Sequence, residues 1–214
     1  AGTMGSGWQD TVNPAVVDTV LRATQYGKVW SWHIGIALVA LPVAALTARS
    51  IAGWGVLAVL SALALAGLGL VGHAATLEGL EGFFNRSSHV LHALSSGFWL
   101  GSLLPLIYSL RVLASDQLGR DADIALRRFS GLGHAAVAVA LATGVSNSWF
   151  ILRHAELDPT APYQSLLLFK IVLVGLMLVL ALINRYVFVP RIPRGPGIRQ
   201  LRGGTIAEIV VSTV

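Results

Sequence analysis

Cysteine is absent from this 214-residue chain, and methionine occurs only as Met4 and Met177. The first absence excludes disulfides, thiolate metal sites and iron–sulfur clusters together. The second excludes a thioether-rich path for a soft metal ion built from this chain alone. Charge is scarce too: 12% of residues are Asp, Glu, Lys or Arg, against 55% hydrophobic. A soluble domain carries roughly 25% charged residues, so there is too little polar surface here to face water on every side. No activated-nucleophile arrangement stands out, and hydrolytic catalysis has no support. The opening AGTMGSGWQD shows no initiator Met, basic region and short apolar run in succession. No signal peptide is therefore expected, and the chain reads as a segment of a longer protein.

What is present is apolar sequence in long runs. Residues 29–48, 54–75, 89–110, 132–152 and 163–189 are each near or above the roughly 20 residues needed to span a bilayer. The expected fold is all-α, a polytopic transmembrane helical bundle of five complete spans plus the start of a sixth. Residues 1–28 read as an N-terminal segment or loop, 29–189 as the bundle, and 190–214 as a loop followed by a truncated helix. Pro42 and Pro105 fall inside spans, where neighbouring helices tolerate them. Gly97 and Gly101 form a small-xxx-small pair expected to admit a close neighbour.

The net charge of +5 matters less than its placement in loops, which points to membrane topology and a lipid bilayer rather than nucleic acid. One side collects Arg49, Arg111, Arg120, Arg127, Arg128, Arg185, Arg191, Arg194, Arg199 and Arg202; the other has Arg22, Lys28, Arg86 and Arg153. The positive-inside rule puts the first group in the cytoplasm. The N-terminal segment, the 76–88 loop and the 153–162 loop then face outward.

On that assignment five of six histidines lie toward the outer side. His33 sits about a turn inside the first span, His73 closes the second, and His89 and His92 open the third. Residues three apart share a helix face, so His89 and His92 can point at one centre with His73 from the antiparallel neighbour. Imidazole ligates copper, zinc, iron and nickel. Without thiolates and almost without thioethers, the set suits copper, as Cu(I) or Cu(II) held by nitrogen. His134 and His154 read as structural. Deeper polar residues accompany them: Lys170 and Asn184 share a face of the fifth span with Met177, Arg185 follows at its boundary, and Thr143 and Asn147 form an i,i+4 pair in the fourth. These read as path-lining or interhelical polar groups.

The segments LHALSSGFWLGSLLPL, RRFSGLGHAAVAVALATGVSNSW and YQSLLLFKIVLVGLMLVLALINRYVFVPRI together resemble the CopD family of bacterial copper-resistance and copper-uptake proteins of the inner membrane. TQYGKVWSWHIGIAL and the GHAA at 72–75 fit it as well. The resemblance implies His92 with Trp99 and Gly101, Gly72 with His73, Thr143, Gly144 and Asn147, and Lys170 with Asn184 and Arg185 as the family's positions. It also implies copper handling at the inner (cytoplasmic) membrane, a histidine cluster on the periplasmic side, and a periplasmic CopC-type copper-binding partner. A transporter or binding protein is expected rather than an enzyme, and an oligomer is open to it. Two other readings stand beside this one. Histidines on facing helices could ligate haem b in a membrane cytochrome, although only His134 lies in the cytoplasmic half to serve a second haem. Alternatively, the chain is a structural membrane subunit whose histidines only decorate the interface.

Overall fold

The computed structural model describes residues 12–47, 49–72, 77–113, 119–153, 158, 161–189 and 197–212, the side chains of 109–113, 119–130 and 197–198 excepted. Among the described residues there are seven α-helices and no strand. They are α1 (Pro14–Ala23), α2 (Gln25–Thr47), α3 (Ile51–Gly67), α4 (Gly79–Leu113), α5 (Gly119–Leu152), α6 (Pro162–Ile183) and α7 (Gly197–Ser212). A 3₁₀ turn, Leu68–Leu70, extends α3, and a π-helical turn, Asn184–Phe188, extends α6.

The helix starts follow local chemistry. The Asn13 side chain accepts from the Ala15 N–H at 3.1 Å, and Pro14 needs no donor partner in the first turn. Ser50 caps α3 in the same way, and Pro162 opens α6. Five segments are long and apolar enough to cross a membrane: Gln25–Thr47, Ile51–Leu70, Gly79–Tyr108, Gly131–Leu152 and Pro162–Phe188. α7 is outside this set. The polytopic all-α fold expected from the sequence is the one observed.

Three boundaries differ from expectation. Residues 79–88, read as loop, form the first turns of α4, because their polar residues are spread around a helix and Asn85 turns inward, 3% exposed. His89 and His92 are therefore not the mouth of a span. His89 lies ten residues after Gly79, about 15 Å along the helix at its usual rise. α5 likewise begins at Gly119 rather than 132, carrying Arg120, Arg127 and Arg128 on helix. The N-terminal segment contains α1, which the sequence reading did not mark.

The chain divides into two compact units. The first comprises residues 1–94 and 140–150, and the second 95–139 and 151–214. In the first, α2 packs on α3 through a short turn, and Gly69 brings the end of that hairpin against α4, where an added Cβ would stand 2.6 Å from the Val90 side chain. In the second, Trp99, Ala136 and Met177 form a core, with Leu100, Val137, Ala181 and Val211 against it. Outward surfaces are apolar instead of polar: Leu38, Leu41, Leu166 and Val172 are each more than 60% exposed. A protein in water would bury such side chains, whereas lipid tails solvate them. The Gly97/Gly101 pair does not behave as expected at Gly101, which is exposed and would meet no heavy atom within 4 Å if given a Cβ.

This division between core and lipid face gives a contrast to measure. Trp99→Ala removes a core ring and should cost about 3–5 kcal/mol. Leu104→Ala, at a side chain 66% exposed, should lower the melting temperature far less. Thermal unfolding of both variants in detergent checks the difference.

Candidate functional site

Polar side chains along the helices fall into three groups, each built against a neighbouring helix. The first is His33 on α2. Its Nδ1 stands 2.8 Å from the Val29 carbonyl one turn earlier, and its Nε2 2.8 Å from the Ala64 carbonyl of α3. The imidazole reaches α3 because residue 67 is glycine; a Cβ there would sit 2.9 Å from His33 Cε1. Carbonyls only accept, so a neutral ring donates to one of the two and packs its other nitrogen against the second. Held this way, the ring straps α2 to α3 and must release a carbonyl before either nitrogen can ligate a metal.

The second group joins α4 and α5. His92 Nδ1 lies 2.9 Å from the Ala140 carbonyl and 3.2 Å from Thr143 Oγ1. Thr143 in turn donates its hydroxyl proton to the same Ala140 carbonyl at 3.2 Å, and Ser88 donates to the Thr143 carbonyl at 3.4 Å. With an obligate acceptor 2.9 Å away, Nδ1 carries a proton, and in the neutral ring the lone pair is then on Nε2. That is how a metal-binding imidazole is ordinarily prepared, its other nitrogen anchored by a carbonyl or hydroxyl. Gly144 makes room here, since a Cβ would approach His92 Cε1 to 3.3 Å. Asn147, one turn beyond Thr143, is 8% exposed, and its Oδ1 has no hydrogen-bond partner among the described residues. His89 shares the face of His92 and is half-buried, with Nε2 enclosed by protein.

The proposed ligands are thus only partly brought together. His89 and His92 lie on one stretch of α4, His33 is engaged between α2 and α3, and His73 and His154 lie outside the described residues. Among the described residues, no three His, Asp or Glu side chains converge closely enough to hold a metal ion. His134 is exposed.

The third group joins α6 to α7 in the second unit. Asn184, 6% exposed, occupies the start of the π turn and donates from Nδ2 to Glu208 Oε1 on α7. Leu201, Gly204, Thr205 and Glu208 form one face of α7 at i, i+3, i+4 and i+7, and all but Gly204 are at most 3% exposed. A Cβ on Gly204 would overlap the Asn184 carboxamide. Burial raises the Glu208 carboxyl from its ordinary value to about 7, outweighing the Asn184 hydrogen bond, which lowers it. The sequence reading missed Glu208. Its signal was its isolation, as the one acidic residue after Asp158. Lys170 is exposed and Arg185 half-buried, so the face expected to unite Lys170 with Asn184 is buried only at Met177 and Asn184.

Residues 123–214 match the family model "Copper resistance protein D", and residues 1–83 match "Copper resistance protein D-like, N-terminal domain". The chain is 38% identical over 190 residues to Inner membrane protein YebZ of Escherichia coli, covering 89% of this chain and 64% of that protein. It is 31% identical over 194 residues to Copper resistance protein D of Pseudomonas syringae pv. tomato, covering 88% and 62%. Identity to Copper transport protein CutJ of Bacillus subtilis is 28% over 188 residues, covering 84% and 34%. The chain therefore spans just under two thirds of the length of the first two relatives. No solved structure matches it. Five apolar spans and these matches define a multi-pass membrane protein of the copper-resistance class. The chain belongs to the copper resistance protein D (CopD) family.

The two glycine cradles predict a ranking. Gly204→Ala forces the Asn184 carboxamide off Glu208 and should destabilise by roughly 1–3 kcal/mol. Gly144→Ala asks His92 to move only a few tenths of an ångström and should cost less. Melting temperatures in detergent test the order.

Proposed function

We propose that this chain binds copper at the periplasmic side of the inner membrane and passes it on within the membrane for copper resistance or homeostasis. His92 is the principal ligand. Support comes from the anchoring of its Nδ1 by the Ala140 carbonyl and Thr143, the outer support typical of a ligating imidazole. His89, one turn earlier, and His73 are the next ligands. Thr143 and Asn147 are supporting polar groups, with Lys170, Asn184 and Arg185 further along the chain. His33 joins only by giving up a carbonyl, and so ranks last. Nitrogen ligands accommodate both Cu(I) and Cu(II).

The family assignment supports copper as the cargo, and the name of the Escherichia coli relative supports the inner membrane. Arginine placement supports the sidedness. In this reading the chain is a carrier rather than a catalyst, and a periplasmic protein of the CopC type delivers or receives the ion.

The test is metal analysis and an optical spectrum of the purified protein with its His92→Ala and Thr143→Val variants. His92→Ala should lose most copper affinity. Thr143→Val removes one partner of Nδ1 and should weaken binding about 10-fold or more, as loss of outer support does at metal sites. Undiminished copper binding in His92→Ala would overturn the proposal, and a Soret band in the wild type would assign the histidines to haem.

A further inference from the structure

Glu208 stands apart from the copper reading by chemistry. Around it are a carboxamide, Asn184, and a hydroxyl, Thr205, whose proton goes to the Leu201 carbonyl at 2.9 Å. Both Thr205 and Glu208 are buried, at 0% and 3% exposure. Copper prefers imidazole and sulfur ligands, and none joins this group among the described residues. Met177, the thioether on α6, is seven residues before Asn184, about 10 Å along the axis.

A buried carboxylate needs a compensating charge or a proton. The charged and titratable groups on the elements around it are Arg185 and Tyr186 on the π turn, Tyr163 and Lys170 on α6, and Arg199 and Arg202 on α7. On the parts of α4 and α5 in the second unit they are, among the described side chains, Tyr108 and His134. All but the half-buried Arg185 are exposed. None of them pairs with Glu208 among the described residues, where Asn184 is its hydrogen-bond partner.

The partner is itself informative. A fixed cation would hold the carboxylate ionised, whereas a carboxamide offers both a donor and an acceptor. Against the ionised acid, Asn184 donates through Nδ2. Its Oδ1 has no hydrogen-bond partner among the described residues, and once the carboxamide turns over it can accept from the protonated acid.

We propose that Glu208 and Asn184 form a proton-binding site of the α6–α7 pair, exchanging one proton with water on the arginine-rich side. One O–H bond forms on a carboxylate oxygen as the proton arrives and breaks as it leaves; no electron moves. The docking of α7 on α6 is thereby sensitive to proton concentration.

Infrared difference spectra of the chain in lipid nanodiscs, recorded against pH, should show a carboxylic-acid C=O band that titrates in the wild type and is missing in Glu208→Gln. Stability supplies a second readout. Because the folded carboxyl holds its proton to higher pH than the unfolded one, the acid stabilises most below pH 4.5 and loses that advantage by about pH 7. The melting temperature of the wild type should fall relative to Glu208→Gln across that interval. A band that survives in Glu208→Gln, or parallel melting curves, overturns the proposal. So does a band abolished by stoichiometric copper(II) or sodium, which would make the site a metal site. Should Glu208→Gln not fold, Asn184→Ala keeps the acid and removes its partner; an unmoved band and midpoint would be equally fatal. Neither readout uses copper binding at His92, so each reading can fail alone.

Discussion

A polar side chain inside a bilayer must be satisfied by protein, because no water is present to do it. In this chain, glycine on the adjoining helix makes that possible. His33 lies over Gly67, His92 over Gly144 and Asn184 over Gly204. At each place the missing Cβ lets a ring or carboxamide settle against the neighbouring backbone. The reward differs among them: two carbonyls for His33, a carbonyl and a hydroxyl for His92, a carboxylate for Asn184. Interhelical hydrogen bonds of this kind are worth only about 0.6–2 kcal/mol each. Their larger effect is on geometry, since they fix which atoms of a polar group stay available for chemistry.

That distinction separates the histidines. Both nitrogens of His33 face carbonyls, so its chemistry is spent on holding two helices together. His92 is fastened through Nδ1 to the Ala140 carbonyl and Thr143, which in the neutral ring puts the lone pair on Nε2. Two imidazoles in spans that the sequence treats alike thus acquire different capabilities from what their neighbours offer. Glu208 extends the contrast: its hydrogen-bond partner among the described residues is a carboxamide, which suits a proton and disfavours a soft metal ion.

The fold was legible because hydrophobic run length is a direct signal, and five spans follow from it, although the third begins ten residues earlier than the run. The errors arose where that signal is mixed. GLEGFFNRSS looks like a loop by composition, yet it winds into α4 with Asn85 inward, which changes the depth of His89 and His92. Of the candidate residues, His92 and Thr143 were each visible from spacing and family resemblance, but their contact was not, since 51 positions separate them. Lys170 and Asn184 sit fourteen residues apart on one helical face, and only packing reveals that one is exposed and the other buried. Glu208 went unnoticed because a single acid near the end of an apolar stretch has no periodicity to announce it.

The π turn at Asn184–Phe188 carries one more consequence. Here the Val189 N–H reaches back five residues to the Asn184 carbonyl, so the turn takes in one residue more than an α-helical turn would. That additional residue sets back the angular phase of everything after it by about 100° relative to an uninterrupted α-helix. Up to Asn184 the face defined by Met177 is continuous; beyond it, Arg185 and Tyr186 fall in a new azimuth. The helix is in effect two helices out of register, joined at the residue that grips α7. Where the inward face of α6 ends is therefore set by backbone winding rather than by a change in side-chain character.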